Sequence, residues 1–587
     1  MITRKTIFVP MLLAIAAVSA LADAGDPPSR VARLNYLEGP VSFRPGSVED
    51  WTTATLNYPL TTGDHLWTDD NARAELHVDS TAIRMSARTA LAVLNLDDRA
   101  VQLSLTEGSL EIHIRYLAED ETFEVDTPNA AVSLTAPGDY RFTADSEQGR
   151  TTATVFAGDG NVTANGANFP VHGGDSASIT GMDTVTQEMT PAPDPDDFDN
   201  WCLARDRHEE ESYRAVANYV PQDMIGAEDL NQYGVWREES AYGWVWTPAG
   251  LPPDWAPYRY GHWAWVEPWG WTWIDDAPWG FAPFHYGRWA YLGGGWVWVP
   301  GRMGVGVRPV YAPALVVFVG GRNFGLSVAI GGGGVAAWFP LGPGEVYRPG
   351  YRVSDRYVRN INIVHVTDIN VTNIRYANQT VAGAVTAVPN ETFVSARSVS
   401  RASVAIPREA VMRAEIVGPA APIAPTRASV LAGARGAVRT PPDRFVDRTV
   451  VVRQNPPPPP VSFAAKEEAL RGNGGRPLDA AQTNSVRSAA PTPRPMIRTV
   501  APVQQRPFGD SPRPRNDHPP AVQSPRDVAP PPTPRPSQVQ PRPNLERPPE
   551  ERPPAERPAA QPRTENPAPP PVKKEDRRKP EKKSDQR

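Results

Sequence analysis

The residues best suited to chemistry are scattered singly along this chain. Where two or three adjoin, their spacing points to turns and helix faces. His208-Glu-Glu-Glu combines an imidazole with three carboxylates, a metal-ligating set. No second histidine follows at i+4, so the run reads as the solvated face of a helix. Asp275-Asp276 offers two carboxylates for acid and base work, but adjacent residues of an extended or turn segment point apart, which favours a turn. His262 and His285 sit at different positions of a tryptophan-rich repeat, which favours hydrogen-bonded packing over a metal pair. Lys466 is the one lysine between Lys5 and Lys573, which removes P-loop and Schiff-base chemistry from the rest of the body. The chain has no G-x-S-x-G, no H-E-x-x-H and no glycine-rich phosphate loop. The expectation is a protein without catalytic residues, metal ligands or a cofactor.

Tryptophan is the stronger signal. Thirteen of the 17 tryptophans fall within 236–298. Tyr242-Gly-Trp244-Val-Trp246 is echoed by Trp269-Gly-Trp271-Thr-Trp273 and Gly294-Gly-Trp296-Val-Trp298, with Gly261-His-Trp263 and Gly287-Arg-Trp289 between them. A repeat of this size is one supersecondary unit stacked on copies of itself. Alternate residues of a strand share a face. Trp244/Trp246, Trp271/Trp273 and Trp296/Trp298 are therefore expected to form a single aromatic ladder. Buried rings would supply a core, and rings left exposed would stack on sugars or on proline-rich chain, with Arg259 and Arg288 as polar contacts.

These side chains must be positioned by a largely β chain. From 31 to 181, apolar and polar residues alternate, as in Ala74-Glu-Leu76-His-Val78 and Leu110-Glu-Ile112-His-Ile114. Turn signals at Asp97-Asp98, Glu107-Gly108, Asp145–Gly149, Asp159-Gly160 and Asn165-Gly166 separate the runs. Short strands at this spacing predict a β-sandwich or a rolled sheet. Gly39-Pro-Val, Trp51, Leu60-x-x-Gly63-Asp-x-x-x-Thr68, Ala72-x-Ala-x-Leu76 and Phe123-x-Val-x-Thr-Pro128-Asn-Ala-x-Val132, in this order, resemble the FecR domain. The resemblance implies an extracytoplasmic all-β domain. In iron-uptake regulators, such domains relay a signal from an outer-membrane transporter to a sigma factor.

After an acidic linker, Asn200 is expected to cap a helix over 201–218, supported by Arg205/Glu209 and Arg207/Glu211 at i,i+4. Then follow Met224-x-Gly-x-Glu-Asp-Leu230, the tryptophan repeats, Trp338-Phe-Pro-Leu-Gly-Pro-Gly-Glu345 and Val388-Pro-Asn-x-x-Phe-Val394. This order resembles the DUF6600 family, which implies no established activity.

Composition bounds the rest. The net charge of −6 hides an asymmetry, since residues 501–587 carry 18 Lys and Arg against 12 Asp and Glu and hold 25 of the 67 prolines. Arginine without interleaved aromatics gives no stacking platform, so nucleic acid is not expected as a partner. Residues 1–24 read as a secretory signal: Arg4 and Lys5, an apolar run, then Ala22-Asp-Ala24. No transmembrane segment is expected after it. Cys202 is the only cysteine, so no internal disulfide can form.

The expected organisation is a signal peptide (1–24), a FecR-like β-domain (30–181), one short linking helix (198–220), a Trp-rich β-meander module (230–375), an irregular extension (376–440) and a disordered Pro/Arg-rich tail (441–587), in an all-β fold class. The functional expectation is a non-catalytic protein of the periplasm or cell surface. It would bind envelope polysaccharide or peptidoglycan through the aromatic ladder, and an envelope protein through the tail. The alternatives are a FecR-like sensor in envelope or sigma-factor signalling, and an enzyme acting on wall glycans through carboxylates such as Asp275.

Overall fold

The computed structural model describes residues 25–301, 308–320, 334–362, 376–432, 438–446, 448–490 and 496–500. Residues 1–24, read above as a secretory signal, and residues 501–587 lie outside them, and all described residues belong to one compact unit. Among the described residues, strands far outnumber helices, as the alternation predicts, and no helix is long and apolar enough to cross a membrane.

The N-terminal domain is a sheet rolled onto itself. One layer runs, in spatial order, Pro59–Leu60, Ala32–Glu38, Arg73–Val78, Thr81–Met85, the second half of Ala100–Ile114, Gly138–Asp145, Arg150–Ala157, Asp175–Thr180 and Thr186–Pro191. The other runs Thr52–Thr53, Val41–Arg44, His65–Thr68, Thr89–Leu96, the first half of Ala100–Ile114, Thr122–Asp126, Ala131–Leu134, Asp159–Ala164 and Ala167–His172. Leu34, Leu76, Ile83, Leu105, Ile112 and Phe142 fill the space between them, each at most 1% exposed.

Strand Ala100–Ile114 is common to both layers. Glu107-Gly108, which reads as a turn, is instead the point where this strand bends from one layer into the other. Gly108 sits at φ 85°, and a Cβ there would lie 2.3 Å from Thr89 Oγ1 and 2.5 Å from Arg88 O. Glycine is required both for the dihedral and for the close approach. Asp159-Gly160 likewise lies inside a strand. The reversal falls one residue earlier, at Gly158, φ 92°.

The linking helix spans Asp197–Val216. Asp196 caps it, not Asn200: Asp196 accepts from the Phe198 and Asp199 amides, and Asp199 bonds back to the Asp196 amide. Asn200 loses the role because an aspartate pair in capping-box spacing precedes it. Arg205 and Glu209 do not pair with each other. Both turn to the first layer, where opposite charges wait, and the i,i+4 pair on this helix is Glu210–Arg214 at 2.9 Å.

The tryptophan module is not one meander. Its first and third repeats join in a four-stranded sheet, Gly234–Glu239, Gly243–Pro248, Gly295–Val299 and Arg288–Leu292. The second repeat is a separate hairpin, Gly261–Val266 with Gly270–Asp275. A further sheet orders Thr386–Pro389, Val335–Pro340, Val316–Gly320 and Glu415–Gly418. Residues 376–440 are thus not merely an irregular extension, for they contribute two strands. Four-residue segments are too short for alternation to show, and their partners are distant in sequence.

Residues 441–500 also depart from the expectation of disorder. Val450–Val452 pairs in parallel with Ile497–Thr499, and Phe463–Gly472 and Ala480–Ala489 are helices capped by Ser462 and Asp479. Phe445 stacks on Trp67 with ring centroids 5.9 Å apart, the Val451 amide donates to Thr127 O at 2.8 Å, and the Pro460 ring lies where a Cβ on Gly63 would fall. A run of prolines is already stiff, so fixing it against the domain costs little backbone entropy.

Replacing Gly108 by alanine would force a strained dihedral and a steric clash together. A loss of about 1–3 kcal/mol is expected, read as a lower midpoint in urea unfolding.

Candidate functional site

The four-stranded sheet creates an aromatic row by register alone. Trp236 lies opposite Trp246, Trp246 opposite Trp298, and Trp298 opposite Trp289. The row crosses the strands, and Trp244 and Trp296 stand on the same face. Trp271 and Trp273 do not join it, because they belong to the separate hairpin. The expected single ladder of six is corrected to four of those residues, Trp244, Trp246, Trp296 and Trp298, plus Trp236 and Trp289.

Most of these rings are core. Trp246, Trp273 and Trp298 have no exposed surface. Their indole N–H groups are satisfied internally, by Leu230 O at 2.8 Å, Asp275 Oδ2 at 3.0 Å and Tyr286 O at 2.9 Å respectively. Trp271 donates to Ile423 O at 2.9 Å and is buried, as is Trp296. The arginines are structural too. Arg288 is buried on the opposite face and donates to Glu345 O at 3.1 Å and Asn362 Oδ1 at 2.9 Å. Arg259 is half-buried and donates to Gly383 O at 2.6 Å.

The row emerges at one end. Trp244 is 41% exposed, Trp236 is half-buried, and Tyr219, which follows the linking helix, packs on both. Its ring is 4.4 Å from Trp236 at 18° and 4.8 Å from Trp244 at 60°. Glu238, exposed and directly opposite Trp244, adds a carboxylate to the same face. Tyr219, Trp236 and Trp244 thus form a preorganised aromatic surface with an acidic neighbour. Sequence reading found Trp244 and missed Tyr219 and Trp236. The Trp-x-Trp pattern had no place for a tyrosine from another element, or for a tryptophan outside the repeat.

The other candidates are engaged elsewhere. Asp275 is buried, accepts from Trp273 and from the Ala277 amide at 3.0 Å, and burial pushes its carboxyl well above the ordinary range. Asp276 is exposed in the turn. His285 bonds Ala312 O through Nδ1 at 2.8 Å, and burial lowers it to about 3. The reading of His208-Glu-Glu-Glu as a solvated face fails at Glu209, which is buried against the first layer of the N-terminal domain.

That contact is the larger discovery of the structure. Two charged rows cross the outer face of the layer. One is Glu75, Arg84, Glu111, Arg141; the other is Arg33, His77, Ala82, His113, Asp139. The linking helix lies over them. Arg84 donates to Glu75 at 2.7 Å, Asp206 at 2.6 Å and Glu209 at 2.9 Å. Arg205 grips both Glu75 oxygens, and Arg115 meets Glu209 at 2.9 Å. His77 is ringed by Glu228 at 3.0 Å, Glu75 at 3.2 Å and Glu209 at 3.3 Å. Burial alone would lower its pKa, but Glu209, Glu228 and Glu75 outweigh burial and hold the imidazole well above its ordinary value. Burial would likewise raise Glu75, which His77 and Arg205 hold well below the carboxylate range.

The seam reaches the tryptophan module. Arg33 pairs with Asp229 at 2.6 Å and donates to Pro278 O at 2.7 Å. Asn57 donates to Asp275 O at 3.0 Å and Ala277 O at 2.8 Å. Glu228 and Asp229 are the acidic pair of Met224-x-Gly-x-Glu-Asp-Leu230, so that motif is the tryptophan module's half of the junction. In Arg73-Ala-Glu75-Leu-His77 the polar residues alternate with apolar ones and so share the face away from the core. The missed signal was their complement, Arg205, Asp206 and Glu209, on one face of the helix.

Residues 64–163 match the family model described as FecR protein, and residues 227–345 match that described as family of unknown function DUF6600. The chain therefore carries a FecR domain and a DUF6600 domain. It is similar to two solved structures of a proposed anti-sigma factor from Parabacteroides distasonis. One is 14% identical over 22% of this chain and 60% of that chain, and the other 12% identical over 25% and 63%, both with a TM-score of 0.20. The chain spans under two thirds of the length of these proteins. No curated protein matches it.

Two outcomes follow for stability. Trp246→Ala should cost about 3–5 kcal/mol, while Trp244→Ala should cost less than about 1 kcal/mol, measured by chemical denaturation. His77→Gln should reveal a pH-dependent contribution. The raised imidazole stabilises fully below its unfolded pKa, about 6.5, and its contribution fades as pH rises through the higher folded value. The depressed Glu75, Glu209 and Glu228 stabilise above about 4.3 and lose that contribution on acidification. The stability gap between wild type and His77→Gln should therefore be widest between about pH 4.5 and 6.5.

Proposed function

We propose that this chain, which joins a FecR domain to a DUF6600 domain, is a non-catalytic protein of the periplasm or cell surface that holds an aromatic surface rigidly for stacking on an envelope glycan. The observation that carries this reading is the Tyr219–Trp236–Trp244 surface at the open end of an otherwise buried tryptophan row. Sugar rings present apolar C–H faces to aromatic planes, and a neighbouring carboxylate such as Glu238 accepts from their hydroxyls. Rigid aromatics lose little side-chain entropy on binding. The row behind them and the ion-paired seam fix their geometry before a ligand arrives. Peptidoglycan and envelope polysaccharide are the ligands this chemistry fits. The envelope location is supported by the FecR match and by the secretory pattern of residues 1–24.

A second reading, a FecR-type sensor or regulator, is favoured by the family match over 64–163. It would use the same surface or the charged seam to report to a partner protein. A glycan-cleaving role for Asp275 gains no support, because both of its oxygens already accept hydrogen bonds inside the fold.

Sedimentation with purified peptidoglycan and envelope polysaccharide tests the proposal. Wild-type protein should be retained, and Trp244→Ala combined with Tyr219→Ala should reduce retention about tenfold or more without loss of folding. Failure of the wild type to be retained, or equal retention of the double variant, would leave the regulatory reading in place.

A further inference from the structure

The second layer of the FecR domain carries a ligand that the chain supplies to itself. Gln102 and Glu124, opposite each other on neighbouring strands, point away from the core. Gln102 donates to Gln454 O at 2.9 Å, and Glu124 accepts from the Arg453 amide at 2.9 Å. Asn455–Val461 then runs past two glycines. A Cβ on Gly63 would lie 2.6 Å from the Pro460 ring, and a Cβ on Gly46 would lie 2.7 Å from the Gly63 carbonyl carbon. Two stretches of bare backbone thus make the shelf on which that ring rests.

The run is seated by shape. Its five prolines carry no N–H, so none of them can donate to a ladder, and Arg487 donates to Pro459 O at 2.7 Å. Pro457 and Pro460 border two cavities. One, of about 260 Å3, is shared with Trp51, and the other, of about 310 Å3, with Tyr58, Trp265 and Glu267. A close-packed interior leaves few voids larger than a water molecule, so the run does not fill its seat. An aromatic-lined groove holding a polyproline segment is a recurring mode of peptide recognition.

The seated sequence occurs twice. Asn455-Pro-Pro-Pro-Pro-Pro-Val461 returns as Asn566-Pro-Ala-Pro-Pro-Pro-Val572, and these contain the only two Asn-Pro dipeptides of the chain. Lysine marks both. Lys466 follows the first motif, is buried, and grips both carboxylate oxygens of Glu267. The next lysines in the chain are Lys573 and Lys574, directly after the second motif.

We propose that this groove of the FecR domain binds the Asn566–Val572 segment of a second copy of the chain, in exchange for Asn455–Val461. Pro569, Pro570 and Pro571 reproduce Pro458, Pro459 and Pro460. The one difference, Ala568 for Pro457, falls at a ring that borders both cavities. Lys573 or Lys574 takes the place of Lys466 at Glu267. Each chain has one groove and two motifs, so exchange between copies leaves every groove filled. Residues 1–500 carry 42 Lys and Arg against 54 Asp and Glu, whereas residues 501–587 carry 18 against 12, so the tail of one copy is drawn to the body of another. A polyproline segment is preformed and loses little entropy on docking.

The probe is a fluorescein-labelled synthetic peptide of the sequence Thr564–Lys574, titrated onto the full chain and followed by anisotropy. Saturable binding is expected, about tenfold or more weaker for a peptide with all three of Pro569, Pro570 and Pro571 replaced by Ala, and for full chain carrying Trp51→Ala with its folding checked by circular dichroism. In sedimentation velocity, the full chain should associate increasingly with concentration, and the full chain carrying Pro569→Ala, Pro570→Ala and Pro571→Ala should not. These three substitutions leave residues 1–500 untouched, so loss of association there is not loss of the fold. Absence of saturable binding, equal binding of the alanine peptide, sedimentation as a monomer at every concentration, or association that persists in the triple variant overturns the proposal.

Discussion

His77 is a positive charge kept out of water by three carboxylates, and the junction between the two halves of this chain is organised around it. An isolated ion at that depth would cost far more than the fold could offset. It is tolerated because Glu75 comes from its own strand, Glu209 from the linking helix and Glu228 from the DUF6600 motif. Each carboxylate in turn meets an arginine. The arrangement is specific more than it is strong. A helix shifted by one turn, or a tryptophan module rotated on its neighbour, would strand buried charges, so the relative placement of three elements is fixed by one network.

That fixity gives the aromatic surface its character. Tyr219 leaves the end of the linking helix, and Trp236 and Trp244 come from the sheet that follows the acidic motif. The distance between those elements is set at the charged seam and maintained by Trp246, Trp298 and Trp289 behind. Polar specificity at the junction and apolar mass in the module therefore serve the same three rings.

The sequence carried the β character of the N-terminal domain plainly, because two-residue alternation is a local property. The tryptophan repeats were equally visible, as was the burial of most of their rings. Which strands pair was not. The first repeat pairs with the third and skips the second, a long-range choice that no window of sequence contains. The helix was visible, but its inward charges were not, since Glu209 looks like any solvated glutamate until a sheet with arginines is laid against it. Residues 441–500 misled for a different reason. Proline content argues against a core of its own, yet a stiff proline run can lie on a core supplied by another domain.

Strand Ala100–Ile114 belongs to both layers of the FecR domain, with its bend at Gly108. Neither layer can peel away while the other stays intact, because the strand that would have to leave is a central member of each. Slow amide exchange in the two layers should rise and fall as one cooperative block, and a tug on either edge of the domain would be felt across the whole of it.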